Sequence, residues 1–278
     1  MQSTKFLTII GILLTAYLSS SARAEEVPKW ELGMGLGAFS FPAYRGSSQT
    51  QALLLPVPYF TYHGTSVKAD REGLRGVLFN SDRLDLTFSV AGSPPAKSGS
   101  IDERLGMPDL QPTFELGPRA DYTLWRERSS NSYLKLRLPV RAAFTVERSP
   151  EYIGWLATPS LTLSMGDVGG WRMSAGLGPL WASQKQHAYF YSVDSSYATT
   201  SRPAYQANGG YSGFHALAAV SRRIGGQFWV GAFARYDNLT GTAFADSPLV
   251  ARRNYLAGGL AISYIFASSS EKVNLVDD

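Results

Sequence analysis

Three histidines and the serines near one of them are the residues best suited to catalysis in this chain. Ser212 and Ser221 lie close in sequence to His215, and a serine hydroxyl beside a histidine base is the arrangement of a nucleophilic hydrolase. The spacing is not specific, however, and neither His63 nor His187 has a second histidine or a carboxylate at the spacing of metal ligands. We therefore predict structural histidines, no metal and no cofactor, and we keep a hydrolase as the least favoured alternative.

Two pairs of carboxylates are the other candidates for chemistry. Asp102 adjoins Glu103, and Glu115 lies in the same segment as Asp121, so either pair could in principle act in general acid–base catalysis. Solvated loop charge explains the first pair better, and ion pairing with the basic residues of 135–141 explains the second. The absence of cysteine also excludes a thiolate nucleophile. We therefore predict that the protein is not an enzyme.

The segments that carry these charges alternate apolar and polar residues. Between residues 134 and 144 every even-numbered side chain is apolar, whereas Lys135, Arg137 and Arg141 occupy odd-numbered positions. Residues 114–124 have the same pattern. A period of two places the two classes on opposite faces of a β-strand.

Such alternation fits either a soluble β-sandwich or a membrane barrel, and three features favour the barrel. Many segments have about ten residues, the length of a tilted strand that crosses a bilayer. Aromatic residues, 13% of the chain, collect at segment ends as interfacial girdles do. The polar faces carry full charges, which suits a wet lumen. We predict an all-β fold, a transmembrane antiparallel up-and-down β-barrel.

The barrel is predicted to have about twelve strands, within a range of ten to fourteen because 67–79 could form one strand or two. Long connections should then lie at the outer end and tight turns at the periplasmic end. The long connections are 40–50, 92–111, 194–210 and 238–252, and the tight turns are 63–64, 80–83, 166–169 and 225–226. The predicted strands are 29–39, 51–62, 65–70, 73–80, 83–91, 112–125, 132–145, 154–165, 170–193, 211–224, 226–237 and 253–266.

Two neighbouring strands of this barrel bring acidic and basic residues to the same lumen wall. Acids on the first strand would face bases on the second, and their ion pairs would narrow or close the pore. The predicted lumen charge network consists of Glu115, Arg119, Asp121, Lys135, Arg137 and Arg141.

The N-terminus is typical of a secretory signal. Lys5 precedes a mostly apolar stretch, and Ala22 and Ala24 occupy the small-residue positions that a signal peptidase accepts. Beyond Ala24 no stretch has the roughly 18 apolar residues of a transmembrane helix. The domain prediction is a cleaved signal peptide (1–24) and a single outer-membrane barrel (25–278) with a polar C-terminal tail (267–278) that extends into the periplasm.

The charge balance argues against a nucleic-acid partner. The chain has 26 Lys+Arg and 22 Asp+Glu, a formal net charge of +4. Lys5 and Arg23 leave with the predicted signal peptide, and the remaining basic residues are scattered instead of forming a basic face. The predicted partner of the apolar face is the lipid of the outer membrane, and the sequence leaves the oligomeric state undecided.

Several motifs resemble the MipA/OmpV family of Gram-negative outer-membrane proteins. The clearest are Arg104-Leu-Gly-Met-Pro-Asp-Leu, followed by Glu115-Leu-Gly-Pro, and a segment near the end that contains Asp246-Ser-Pro. Shorter similarities at 35–37, 42–47 and 189–193 extend the resemblance over most of the chain. The motif residues are Arg104, Gly106, Met107, Pro108, Asp109, Leu110, Gly117, Pro118, Asp246, Ser247 and Pro248.

The resemblance implies an outer-membrane barrel without defined catalytic residues. For one branch of the family it implies a scaffold that brings a murein hydrolase, a lytic transglycosylase, together with a murein synthase. We therefore expect a structural scaffold at the outer membrane, with a narrow solute pore related to osmotic response or adhesion as the alternative. In either role the prolines of the motifs would rigidify the loops in which they lie.

Overall fold

The strands follow most of the alternating segments of the sequence. The structure, a computed structural model, describes residues 26–70 and 73–274, so the predicted signal peptide lies outside the described residues. Within these ranges we find no helix with the length and apolar character needed to cross a membrane. The elements are β1 (Glu26–Pro28), β2 (Trp30–Pro42), β3 (Thr50–His63), β4 (Val67–Asp70), β5 (Gly73–Asn80), β6 (Leu84–Ser93), β7 (Thr113–Glu127), β8 (Ser132–Thr145), β9 (Tyr152–Ala157), β10 (Ser160–Val168), β11 (Trp171–Ala182), α1 (Gln184–Tyr191), β12 (Gly210–Ile224), β13 (Phe228–Asn238), β14 (Asn254–Ser268) and β15 (Lys272–Asn274).

Strands β2 to β14 form one antiparallel sheet that closes on itself. β14 pairs with β2, and the chain then proceeds around the wall by pairing each strand with the next. β9 and β10 are two halves of one wall strand, interrupted at 158–159, and each half pairs with both β8 and β11. The wall therefore has twelve strands, which confirms the predicted antiparallel barrel and its strand number.

Apart from the β4–β5 connection, the short turns lie at one end of the barrel and the long connections lie at the other. The turns 64–66, 81–83, 128–131, 169–170 and 225–227 share the end at which β14 finishes, which we call the turn end. The opposite, loop end carries the connections 43–49, 94–112, 146–151, 183–209 and 239–253. The β4–β5 hairpin is different, because β4 has only four residues and the hairpin ends part-way up the wall.

The segment after β11 differs from the sequence-based prediction. A strand was expected over 170–193, but β11 ends at Ala182 and α1 follows. The Ser183 side chain accepts a hydrogen bond from the Gln186 backbone N–H (3.3 Å), which is N-terminal capping of α1. Ser183 followed three residues later by Gln186 matches the capping-box pattern, a local signal for a helix that the strand prediction overlooked.

Part of the predicted polar tail (267–278) forms regular structure. β14 continues to Ser268, and β15 pairs with β1 in a two-stranded ribbon below the turn end. Lys29 Nζ forms an ion pair with Glu271 Oε1 at 3.0 Å beside this ribbon. Backbone pairing of β1 with β15 explains why residues 272–274 form a strand although this segment is polar.

The two faces of the wall separate by polarity, as the alternation predicts. Outward side chains such as Leu54, Leu256 and Leu260 are apolar and 72%, 71% and 62% exposed. Inward side chains of the same wall include buried charges such as Asp121 and Lys135. An apolar outer band and a polar lumen are what a barrel in a lipid bilayer requires.

Candidate functional site

The long connections fold together into a cap at the loop end. This cap contains the one buried hydrophobic cluster that the described residues form, so the hydrophobic core lies above the barrel and not inside it. Four connections contribute: 43–49, 94–112, 183–209 and 239–253. The cluster consists of Ala43, Tyr44, Ala96, Ile101, Leu110, Tyr191, Val193, Ala207, Leu239, Phe244 and Leu249.

Aromatic rings hold the centre of the cap. Tyr191, at the end of α1, stacks on Phe244 with ring centroids 3.7 Å apart. The Tyr191 hydroxyl donates a hydrogen bond to the Arg45 carbonyl at 2.9 Å, and the Tyr44 hydroxyl donates to the Leu249 carbonyl at 2.5 Å. These bonds join connections that are far apart in sequence, so the cap forms only when the strands bring the connections together.

Arg104, the first residue of the longest motif, organises the 94–112 connection. Its guanidinium is buried and donates to Ser98 Oγ (3.1 Å), the Pro108 carbonyl (3.1 Å) and the Phe190 carbonyl (3.2 Å). Asp109 Oδ1 accepts a hydrogen bond from the Ser98 N–H at 2.7 Å. A guanidinium that donates to several carbonyl and hydroxyl oxygens can fix the conformation of a loop that contains no helix or strand.

The Asp246-Ser-Pro motif likewise fixes the 239–253 connection by hydrogen bonds. Ser247 is buried, its hydroxyl donates to the Tyr191 carbonyl (2.7 Å), and its Oγ accepts from the Leu249 N–H (3.2 Å). Asp246 on one side of it is exposed and Pro248 on the other is half-buried. The turn therefore presents one hydroxyl to the cap and leaves the carboxylate in solvent.

The remaining motif residues divide between the cap and the wall. Gly106 has a φ of +78°, a conformation that favours glycine, and Met107 and Leu110 contribute to the hydrophobic packing of the cap. Gly117 lies in β7, where a Cβ would stand 2.1 Å from the Val140 carbonyl oxygen. Pro118, opposite Phe88, is exposed on the outer face.

A buried ionic neck lies directly beneath the cap. Asp237 of β13 is fully buried and forms ion pairs with Arg45 (3.3 Å) and Arg235 (2.5 Å). Arg45 Nη2 also donates to the Ser212 carbonyl at 2.7 Å, and Arg45 Nε donates to the Tyr255 hydroxyl at 3.2 Å. These contacts connect the cap to β12, β13 and β14 across the mouth of the lumen.

On the opposite wall, Asp121 lies at the centre of the predicted charge network. Arg119 Nη2 is 2.8 Å from Asp121 Oδ2, and Arg137 Nε is 4.0 Å from the same oxygen. Asp85 faces Asp121 directly across β6 and β7, and Lys135 Nζ is 3.2 Å from Asp85 Oδ2. The bases offset the repulsion that two facing carboxylates would otherwise cause.

Glu115 and Arg141 form a separate pair nearer the loop end. Arg141 Nη1 lies 3.7 Å from Glu115 Oε2, and Arg141 Nε donates to Ser89 Oγ at 3.0 Å. The structure thus brings all six predicted residues to one wall of the lumen but divides them into two groups. The neck and the Glu115–Arg141 pair lie in the loop-end half of the lumen, whereas the group around Asp121 lies nearer the turn end.

The candidate catalytic pairs are not assembled. Ser212 Oγ accepts a hydrogen bond from Arg45 Nη1 (3.1 Å), and Ser221 lies six residues from His215 along β12, about 20 Å away. Glu115 and Asp121 are separated by the same number of residues along β7. In the chain from 26 to 70 and from 73 to 274, no group of three or more His, Asp or Glu is placed to hold a metal ion.

His187 is a structural member of the cap. Its Nδ1 lies 2.6 Å from the Asn208 carbonyl, which can only accept, so Nδ1 carries the proton of the neutral ring. Nε2 is buried without a hydrogen-bond partner among the described residues. Burial therefore lowers the pKa of the His187 imidazole, since protonation would place an unpaired N–H in the core.

This burial predicts an acid-sensitive cap. Below about pH 6.5 His187 takes up a proton when the cap is open, but burial disfavours this protonation when the cap is folded. The free energy that stabilises the folded cap therefore falls as the pH is lowered. Hydrogen–deuterium exchange of the α1 amides, corrected for intrinsic rates, should show weaker protection at about pH 5 than at about pH 7.5. His187→Phe keeps the ring and removes the titration, so it should flatten this dependence. An equal pH dependence in the variant would contradict the assignment.

Sequence reasoning missed the neck. Arg45 lies within a segment quoted for the family resemblance, and Asp237 occupies a lumen-facing position of β13, but neither was singled out. Alternation along β13 identifies Arg235 and Asp237 as lumen-facing charges. Their pairing with Arg45, about 190 residues earlier, depends on the closure of the barrel and has no local signal.

A family model described as MltA-interacting protein MipA matches residues 34–266 of the chain. The match begins in β2 and ends in β14, so it covers most of the barrel and the entire cap. No curated protein matches the sequence.

Among solved structures, three outer-membrane proteins illustrate the range of likeness. A bacterial polysaccharide outer membrane secretin is 8% identical, with 87% of this chain and 100% of that chain covered and a TM-score of 0.41. The COG4313 outer membrane channel from Pseudomonas putida F1 is 11% identical, with coverages of 89% and 100% and a TM-score of 0.36. The outer membrane protein OprG from Pseudomonas aeruginosa is 8% identical, with coverages of 88% and 96% and a TM-score of 0.22. Likenesses this distant carry no argument about function.

Proposed function

Because the chain belongs to the MltA-interacting protein MipA family, we propose that this outer-membrane barrel is a scaffold that binds a murein hydrolase at its periplasmic face. The family description names MltA as the interacting protein. In this proposal the partner is a lytic transglycosylase, as the resemblance implies, and a murein synthase is the second enzyme that the scaffold recruits. The chain's own role in this proposal is to anchor the enzymes to the membrane.

The observation that carries the proposal is the ribbon of β1 and β15 at the turn end. Residues 26–28 and 272–274 pair there in a short, charged, two-stranded ribbon next to the barrel wall. Exposed ion pairs, Lys29 with Glu271 and Lys272 with Glu26, lie along it. Among the described residues each strand of this ribbon has one edge without a strand partner, and a partner protein can add a strand at such an edge. The turn end is periplasmic under the orientation in which long loops face outward, which places the ribbon on the side of the peptidoglycan.

The closed loop end favours a scaffold over an open pore. The cap, the neck at Asp237 and the charge network around Asp121 obstruct the path from the loop end. We expect little single-channel conductance from the purified wild-type protein in planar bilayers. A large, steady conductance would contradict the scaffold and favour the second candidate, a narrow solute pore, which the cavity of about 840 Å³ in the lumen supports.

Removal of the ribbon tests the scaffold directly. Deletion of 269–278 keeps all of β14 and removes β15, so the barrel should still assemble. We expect the deletion to reduce capture of the lytic transglycosylase from detergent extracts several-fold, because the strand-pairing edge is lost. Glu151→Ala removes an exposed charge at the loop end and should leave capture unchanged. Equal capture by the deletion variant and the wild type would place the contact elsewhere and argue against the ribbon.

A further inference from the structure

The barrel wall is interrupted between β3 and β6. β3 pairs with β2 along its whole length, but among the described residues it pairs with β4 only at Tyr62 and His63. β6 pairs with β5 up to Ser89, and within the same ranges residues 90–93 have no strand partner on that side. We call the opening between residues 50–61 and residues 90–93 the lateral window.

The lateral window is framed on all sides. The β4–β5 hairpin closes it below and separates β3 from β6 there by three interstrand spacings, roughly 14 Å. Above it, two connections touch: the Ser48 N–H donates to Glu103 Oε1 (3.2 Å) and Gln49 Nε2 donates to Asp102 Oδ2 (3.3 Å). The window is therefore a bounded opening and not an unfinished barrel seam.

The sequence of β3 is adapted to an unpaired edge. The His63 N–H donates to the Lys29 carbonyl at 2.8 Å on the β2 side, so odd-numbered N–H groups of β3 face β2 and even-numbered ones face the window. Pro56 and Pro58 occupy even-numbered positions, where they remove two donors that would lack a partner. The same absence of donors disfavours the addition of a partner strand at this edge.

The window lies at the level of the bilayer. Leu54, beside it on the outer face of β3, is 72% exposed, and Leu36 on β2 is 56% exposed. Unpaired backbone at membrane depth is tolerated only where it is buried in protein or lines a water-filled space. Pro58 and Phe60, at the edge of the window, line the cavity of the lumen, so the window connects the bilayer with the interior of the barrel.

A cavity of about 840 Å³ occupies the lumen below the neck and reaches the edge of the window. Pro58 and Phe60, whose positions on β3 face outward, line it together with the inward-facing Tyr59. Nine Lys or Arg and three Asp or Glu of the described residues line the cavity. Asp85 and Asp121 do not line the cavity, but they form ion pairs with the lining residues Lys135 and Arg137. Even when these two carboxylates are included, the basic residues outnumber the acidic ones.

One wall of this basic cavity is apolar. Leu217 and Phe233 occupy inward positions on β12 and β13 and yet are 39% and 37% exposed, so they face open space. Phe39 lies beside Phe233, with ring centroids 6.4 Å apart, and Val57 lines the same side near the window. Gly259 makes room for these rings, since a Cβ there would stand 2.4 Å from the Phe39 ring.

We propose that the cavity binds an anionic single-chain amphiphile that enters from the bilayer through the lateral window. The headgroup lies among the basic side chains, and the acyl chain lies along Leu217, Phe233 and Phe39 towards Val57. Basic and apolar walls in one cavity match the two ends of such a molecule, and an opening at membrane depth is the route that such a molecule would take. The proposal does not depend on the scaffold role.

Binding is tested with the full-length mature protein in zwitterionic lipid nanodiscs. Dansyl-labelled dodecanoate is the probe, and unlabelled octanoate, decanoate, dodecanoate, dodecyltrimethylammonium and acetate are the competitors. We expect competition to strengthen with chain length, by up to roughly fourfold per methylene. Equal competition by dodecyltrimethylammonium would overturn the requirement for an anion. If acetate competed as strongly as dodecanoate, the cavity would recognise only the carboxylate headgroup, and this result would contradict the binding of an amphiphile.

The basic wall is tested with Arg172→Gln, an inward position on β11 that lines the cavity. Loss of one charge-assisted contact should weaken dodecanoate binding about tenfold. Arg83→Gln, in an exposed turn outside the cavity lining, is the matched control and should bind as the wild type does. Equal affinities of the two variants would contradict the placement of the headgroup. Unchanged thermal unfolding of both variants confirms that folding is intact.

Entry through the window is tested by labelling a single introduced cysteine. The wild-type chain has no cysteine, so the label reacts at the introduced position alone. Leu55→Cys lies on β3 at the window, and Leu36→Cys lies on the lipid-facing side of β2. A bulky maleimide at position 55 should slow probe entry at least tenfold, while the same label at position 36 leaves entry unchanged. Equal entry rates for the two labelled proteins would show that the ligand uses another route.

Discussion

A Phe244→Ala substitution is expected to release the cap while the barrel stays folded. The Phe244 ring is fully buried, stacks on Tyr191 and meets the edge of His187 at 4.6 Å. Truncation of such a ring costs about 3–5 kcal/mol, which corresponds to at least roughly a hundredfold in the equilibrium for cap opening. The cost falls on the cap, since the hydrogen bonds of the wall do not involve this side chain.

Limited proteolysis measures this release. Trypsin should cleave after Arg104 and Lys185 far faster in the variant, because cleavage at both sites requires the cap to open. The barrel should keep the gel mobility of the folded form before heating. Phe266→Ala removes the same ring from the outer face, where it is 60% exposed, and should leave the tryptic pattern unchanged. A wild-type pattern in Phe244→Ala would show that the stacked pair does not hold the cap.

Removal of the Asp237 carboxylate should have an effect of similar size by a different mechanism. Asp237→Ala leaves Arg45 and Arg235 close together in a buried site without their counter-charge. Breaking a buried pair in this way typically costs about 3–5 kcal/mol. We expect a lower thermal unfolding midpoint and, because the neck obstructs the lumen, an anion-preferring current in planar bilayers.

Two controls separate charge from shape. Asp237→Asn keeps the side-chain volume and one acceptor, so the loss of stability should be smaller than in Asp237→Ala. Asp82→Ala removes an exposed carboxylate from a turn and should change neither the unfolding midpoint nor the current. If Asp237→Ala matched Asp82→Ala in both measurements, the neck would neither stabilise the cap nor obstruct the lumen.

Local patterns in the sequence were sufficient for the barrel. The alternation in 114–124 and 134–144 reports directly which side chains face lipid, because the pleat of a strand has a period of two. Loop length then identified the two ends of the barrel. Both signals depend only on near neighbours in sequence, and for this reason a barrel of about twelve strands could be predicted.

Where local patterns compete, prediction was less successful. Residues 184–191 were included in the predicted strand 170–193, although Ser183 and Gln186 carry a helix-capping signal. The segment 267–278 was predicted to be a polar tail that extends into the periplasm, because polar residues give no hydrophobic reason to pack. Backbone pairing of β15 with β1 does not require apolar side chains and left no pattern to detect.

The sequence by itself determined the class of this protein and the polarity of each face, since these depend on the period of two along each strand, and it limited the number of strands to ten to fourteen. Only the tertiary structure decided what the barrel encloses. The pairing of Arg45 with Asp237, the stacking of Tyr191 on Phe244 and the lateral window all join segments that meet through the curvature and closure of the sheet. Such contacts carry no local signal, because their geometry is set by strand register and loop packing around the whole wall.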